Sequence, residues 1–105
     1  MNILINITKN SELITYEACA LGLLLASFDH QVHFLLQKEA VVVLGNPYTR
    51  LHGMIKSAPL YDIAAVWVST EDVTLLHDDA LKAVIHPIED ITEVLTRQFD
   101  SLLTF

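Results

Sequence analysis

Short runs of apolar residues recur along the chain and are separated by segments with helical spacing. Each run is apolar at adjacent as well as alternate positions, which is typical of a strand covered on both faces of a parallel sheet. The predicted strands are residues 3–7, 32–36, 64–68, 83–85 and 102–105. Strands that alternate with helices indicate an α/β layer sandwich in which helices connect the parallel strands.

The first helical segment follows Asn10 or Ser11, either of which can cap the helix. Glu12 then lies in the first turn, where the helix dipole favours a negative charge. The predicted core-facing stripe has i, i+4 and i+3 spacing and consists of Ile14, Ala18, Leu21, Leu25 and Phe28.

Two further helices are predicted. One spans about residues 49–60, and its buried residues are Leu51, Met54, Ile55 and Ala58. The other begins at Glu89 and Asp90 and ends near Arg97, and its buried residues are Ile91, Val94, Leu95 and Phe99. Segment 38–45 has two interpretations, because its β-branched residues favour a strand whereas the strand just before it favours a short helix.

Composition narrows the class of protein. The chain has 105 residues, of which 52% are hydrophobic, so we expect a single domain over residues 1–105 with a buried core. Thirteen Asp and Glu against six Lys and Arg give a net charge of -7, which disfavours direct binding of nucleic acid because phosphate contacts need clustered cations.

The chain also lacks the sequence signals of a membrane or exported protein. No apolar run approaches the roughly 18 residues of a membrane span, and residues 1–7 have no basic region of a signal peptide. One cysteine cannot form an internal disulfide. We therefore expect a cytoplasmic protein that does not contact a membrane.

Polar residues follow several predicted strands, where ligands bind in an open parallel sheet. These candidates are Thr8, Lys9, Asn10, Gln37, Lys38, Ser69, Thr70 and His86. No GxGxxG or other phosphate-binding glycine loop accompanies them. Ser69 is better explained as a helix cap paired with Asp72 than as a nucleophile.

The histidines and acidic residues do not form a recognisable ligand set. His30 and His33 straddle a predicted helix end and strand start, so they are not expected to share a face. The run His77-Asp78-Asp79 is better explained as a solvated acidic loop than as a cation site. We therefore expect no metal, no cofactor and no catalytic residue in this chain.

An apolar patch is predicted on the outer face of the first helix, opposite its core stripe. Helical geometry places Tyr16, Cys19, Leu23 and Ala26 there. A small monomer rarely exposes such a patch, so we expect another subunit to cover it. Cys19 lies in the middle of the helix with no cation within one turn, which predicts an unreactive thiol.

Three segments resemble one known family. They are Leu60-Tyr61-Asp62-Ile63 followed by Val66-Trp67-Val68, the run Val32-His33-Phe34-Leu35-Leu36, and the ending Gln98-Phe99-Asp100-Ser101-Leu102-Leu103-Thr104-Phe105. In order and position they resemble the TusC/DsrF branch of the DsrE/DsrF/DsrH superfamily of sulfur-relay proteins, over essentially the whole chain.

The resemblance implies a three-layer α/β/α sandwich with a mainly parallel five-stranded sheet. It also implies one subunit of a TusBCD- or DsrEFH-like heterohexamer, with TusB/DsrH-like and TusD/DsrE-like partners. Such assemblies relay persulfide sulfur, in the Tus branch toward 2-thiouridine at the tRNA wobble position and in the DsrEFH branch for sulfur oxidation. The relay cysteine lies near the end of the third strand in the TusD/DsrE-type partner, where this chain has Ser69-Thr70.

The leading hypothesis is therefore a non-catalytic subunit that contributes structure and interface. The alternative is a stand-alone homo-oligomeric DsrE-like protein that binds a small ligand at the strand ends, and the isolated chain could also self-associate. A third hypothesis is direct sulfur transfer through Cys19.

Overall fold

A computed structural model of the protein describes residues 1–105. Its five strands form one sheet in the order β4-β3-β2-β1-β5, and every pairing is parallel. The strands are β1 (Asn2–Ile7), β2 (Gln31–Leu36), β3 (Ala65–Ser69), β4 (His86–Ile88) and β5 (Ser101–Thr104). Helices flank this sheet, so the predicted α/β class and five-stranded parallel sheet are confirmed.

Five of the seven helices begin at side-chain caps. The seven helices are α1 (Glu12–Ser27), α2 (Glu39–Gly45), α3 (Arg50–Lys56), a 3₁₀ helix (Ala58–Tyr61), α4 (Thr70–Val73), α5 (Asp79–Val84) and α6 (Ile91–Leu95). Backbone N–H groups donate to the capping side chains Ser11, Thr49, Ser69, Asp78 and Asp90. Segment 38–45 thus contains a helix, α2, rather than a strand. None of the helices is long and apolar enough to cross a membrane.

Most of the core lies on one face of the sheet. Alternate residues of the three central strands, including Ile5, Phe34 and Val68, pack there against α1, α2, α3 and α5 in one large cluster. The opposite face has a much smaller cluster built around Leu35 and Trp67. The two faces are therefore covered very unequally.

The smaller cluster depends on the connection between β4 and β5. These strands form opposite edges of the sheet, so residues 89–100 must cross the sheet to join them. The only helix in this connection, α6, buries Val94 against Leu4, Leu35 and Trp67. Leu95, predicted to be buried, is 40% exposed because α6 has only five residues and presents a single side chain fully to the sheet.

The core-facing side of α1 differs from the predicted stripe. The buried residues are Thr15, Ala18, Cys19 and Gly22, whereas Phe28 is 67% exposed and Ile14 is 38% exposed. The cause is close packing, since a Cβ atom at Gly22 would overlap the Phe34 ring. Small residues face the sheet because only they permit this helix-to-sheet distance.

The fourth strand also differs from its prediction. Residues 83 and 84 are the last two of α5, residue 85 follows the helix, and the strand begins at His86. Leu81 and Ile85 are both buried at i, i+4 spacing, which is the period of a helix. The apolar run is therefore the last two residues of a short helix followed by its C-cap, Ile85. Met54, predicted to be buried, is only partly covered.

We predict that two glycine-to-alanine substitutions have opposite effects on the free energy of unfolding. Gly22→Ala should destabilise the fold by about 1–3 kcal/mol because the added methyl overlaps Phe34. Gly53→Ala should stabilise it by about 0.5–1 kcal/mol, since no atom lies within 4 Å of the added Cβ. Urea unfolding with equal m-values measures both, and a stabilised Gly22→Ala would contradict the packing described for α1.

Candidate functional site

A polar cavity of about 350 Å³ lies where β2, β3 and β4 end. Its lining residues come from the segments that follow these strands and are Lys38, Ser69, Thr70, Glu71, Asp72, Glu89 and Ile91. Three of the strand-end candidates, Lys38, Ser69 and Thr70, are therefore brought together as expected for an open parallel sheet.

The other strand-end candidates lie elsewhere. The side chains of Thr8 and Gln37 donate hydrogen bonds to other residues of the chain, and Lys9 and Asn10 are exposed outside the cavity. His86 is at the start of β4 rather than after a strand, so its predicted position is wrong. It lines a separate, largely apolar cavity of about 240 Å³ beside the start of β3.

Hydrogen bonds at the polar cavity hold two loops together. The Asp72 N–H donates to Ser69 Oγ at 3.1 Å, which confirms that Ser69 caps the following helix. The Asp72 carboxylate in turn accepts the Lys38 N–H at 3.0 Å. Lys38 has a φ of 49°, an uncommon value for a residue with a side chain, and this bond helps to hold it there.

The cavity's chemistry limits what it could bind. Three carboxylates, those of Glu71, Asp72 and Glu89, face a single cation, Lys38. This balance disfavours phosphate and other anions. No thiol lies in the cavity, and the Ser69 hydroxyl has a structural role.

Cys19 is fully buried in the main core, so its predicted place on the outer face of α1 is wrong. Burial raises the pKa of the Cys19 thiol to about 12. The thiol therefore stays protonated near neutral pH, and the thiolate is the form that attacks or carries sulfur. The prediction of an unreactive thiol agrees with this environment, although the reason is burial rather than the absence of nearby cations.

The rest of the predicted patch separates into two parts. Ala26 packs against the main core, as does one side of Leu23. Tyr16 and Leu23 line a groove of about 440 Å³ between α1, α3 and the 3₁₀ helix. The other lining residues are Arg50, Gly53, Met54, Ser57 and Tyr61. Whether another subunit covers Tyr16, Leu23 and Ala26 stays a prediction.

Arg50 and Gly53 were missed as candidate residues in the sequence. The guanidinium of Arg50 lies over the Tyr16 ring, with its central carbon 3.9 Å from the ring centroid. This contact joins residues 34 positions apart, and no local pattern predicts it. Gly53 did leave a signal, because a glycine inside a helical pattern costs stability and calls for an explanation.

Asp78 connects the start of α5 to α3 next to the main core. Its Oδ2 accepts a hydrogen bond from Lys56 Nζ at 3.0 Å and lies 3.1 Å from His52 Nε2, and its Oδ1 accepts the Leu81 N–H. His52 is buried, and its Nδ1 lies 2.8 Å from the Leu44 carbonyl oxygen. Asp78 is thus engaged in the fold, contrary to the prediction of a solvated loop.

On the thinly covered face of the sheet, His33 stacks on Trp67 with ring centroids 5.1 Å apart. Its Nε2 is 2.7 Å from Asn2 Oδ1, and its Nδ1 has no partner. Burial first, and Arg97 second, lower the pKa of His33. The ring is held neutral among aromatic groups, as expected of a packing residue, and no cavity adjoins it.

The structure contains no group of three or more His, Cys, Asp or Glu side chains that could hold a metal ion. Comparison with protein-family models finds no match, and comparison with curated proteins finds none either.

We predict an acid-sensitive contribution of Asp78 to stability. The Leu81 N–H, then Lys56, lower the pKa of Asp78 from its ordinary 3.8 to about 2 in the folded chain. Its stabilising effect is therefore complete above pH 3.8 and is lost as the pH falls toward 2. Asp78→Asn keeps a capping side chain without the charge, so its unfolding free energy should fall less steeply over this range.

Asp79→Asn is the matched control, because Asp79 is exposed and accepts no side-chain hydrogen bond. Urea unfolding at several pH values measures the slopes. Equal slopes for wild type and Asp78→Asn would contradict the assigned role.

Proposed function

We propose that this chain is a non-catalytic subunit of a TusBCD- or DsrEFH-like sulfur-relay complex. In this role it supports persulfide transfer toward 2-thiouridine at the tRNA wobble position, and its partners are TusB/DsrH-like and TusD/DsrE-like subunits. The same proposal includes a finer fold assignment, a three-layer DsrE/DsrF-like α/β/α sandwich. It also includes a location in the reducing cytoplasm.

The burial of Cys19 is the observation that carries the proposal. A sulfur carrier needs a thiolate that a donor and an acceptor can reach. The only thiol of this chain is fully buried with a pKa of about 12, so it meets neither requirement. Any persulfide must then reside on another subunit, and this argues against direct transfer through Cys19.

The residues at the end of β3 also support a persulfide held on another subunit. The resemblance implies a relay cysteine near this position in the TusD/DsrE-type partner, and this chain has Ser69 and Thr70 there. The Ser69 oxygen already accepts the Asp72 N–H. A hydroxyl in that role cannot stand in for a thiolate, because it cannot hold sulfur as a persulfide.

The surface is consistent with a subunit that binds proteins and leaves tRNA to others. Its net charge of -7 disfavours phosphate contacts by this chain alone. Tyr16, Leu23, Met54 and Tyr61 line one groove, and aromatic residues and Met are enriched at protein interfaces.

The cavity at the strand ends favours a second candidate function. A stand-alone homo-oligomer that binds a small ligand there would use Lys38 and the acidic side chains around it. Those carboxylates would select a neutral polar or cationic ligand. The two functions differ in what the purified protein binds, either other subunits or copies of itself.

Native mass spectrometry after co-expression with TusB- and TusD-like proteins from the same genome tests the choice. We expect a mixed assembly containing two copies of each subunit. A homo-oligomer that ignores both partners would contradict the sulfur-relay proposal and favour the small-ligand function.

A further inference from the structure

Gly53 has no role in the fold that would require glycine. It lies inside α3, no glycine in the chain has a positive φ, and no atom lies within 4 Å of a Cβ added there. Glycine inside a helix is less stable than alanine. The missing side chain does have one consequence, because Gly53 lines the groove between α1, α3 and the 3₁₀ helix and leaves it open.

Arg50 supplies an unused charge in the same groove. It is the only charged residue among the lining residues, and it forms no ion pair with any carboxylate of the chain. Its guanidinium is positioned over the Tyr16 ring, so its hydrogen-bond donors are held at the groove rather than free to move through solvent. These donors bind carboxylates and phosphates most strongly, and of the two a protein side chain supplies the carboxylate.

The remaining walls of the groove are mostly apolar. Leu23 and Met54 form one part, and the rings of Tyr16 and Tyr61 form another. Tyr61 is 49% exposed, and Leu60 beside it in the chain is 84% exposed. Neither residue is used to fill the core, although both belong to the segment that resembles the TusC/DsrF branch.

We propose that this groove binds an amphipathic helix of a different subunit. An apolar side chain of that helix packs over Gly53 between α1 and α3, and a carboxylate one turn away binds Arg50. A groove between two helices accepts the side-chain ridge of a third, and the missing side chain allows close approach. The inference rests on the proposed function and identifies the surface and partner chemistry that it needs.

Charge favours a different subunit over a second copy of this chain. Each copy carries a net charge of -7, so two copies repel each other at a distance. A partner helix needs to bring only a local carboxylate to Arg50, and the rest of its surface is free to be basic. Binding of a second copy of this chain in the groove is therefore the alternative that the experiment must exclude.

Filling the groove tests the proposal without disturbing the core. Gly53→Leu places a side chain in the open space of the groove, and we expect it to keep or raise the unfolding midpoint of the isolated chain. The same variant should weaken binding to separately purified TusB- and TusD-like subunits by on the order of tenfold or more. Ala80→Leu is the matched control, because it places the same leucine side chain at an exposed position of α5 away from the groove.

The charge is tested by a second pair of variants. Arg50→Glu should bind at least about tenfold more weakly than Arg50→Lys, since only the former repels a carboxylate. Unchanged binding by Gly53→Leu, or equal binding by the two Arg50 variants, would overturn the proposed site. A wild-type homo-oligomer that Gly53→Leu dissociates would overturn the choice of occupant. Failure of wild type to bind either partner would instead overturn the proposed function, and these results are distinguishable.

Discussion

The packing of α1 against β1 and β2 at Gly22 is the contact on which the rest of the structure depends. Because a side chain at Gly22 would overlap Phe34, this helix lies closer to the sheet than its larger residues would allow. The close approach turns Ala18 and Cys19 into the core and leaves Tyr16 and Leu23 at the side of the helix that faces α3. The buried thiol and the groove are therefore two consequences of one helix-to-sheet distance.

The two faces of the sheet are covered unequally, and most of the buried core lies on one of them. The main cluster on one face holds four helices together and contains the chain's only thiol. The other face has one short helix, α6, and an aromatic cluster around His33 and Trp67. Polar residues gather at the strand ends, where the Ser69 hydroxyl and the Asp72 carboxylate accept hydrogen bonds from backbone N–H groups of Asp72 and Lys38. The chain's one thiol thus lies in the main core and not in the polar cavity at the strand ends.

Four of the five strands could be predicted because they are short apolar runs. Local spacing identified Ser69 as a cap and left Asn10 or Ser11 as the cap of α1, which the structure assigns to Ser11. The fourth strand was misplaced because an apolar run as short as residues 83–85 fits a helix end equally well. The face of α1 was misassigned since the helix is apolar nearly all round, and only the Phe34 ring decides which side packs. The groove was not predictable from local pattern, because it exists only where α1 and α3 meet.

We propose that this chain holds no persulfide sulfur during the relay. Intact-protein mass spectrometry of the mixed assembly, after incubation with a persulfide donor, measures which chain gains a sulfur atom. We expect an unmodified mass for this chain and an added sulfur on the TusD-like subunit, with Cys19 becoming reactive to alkylation only in denaturant. An added sulfur on this chain in the folded assembly would contradict the proposal.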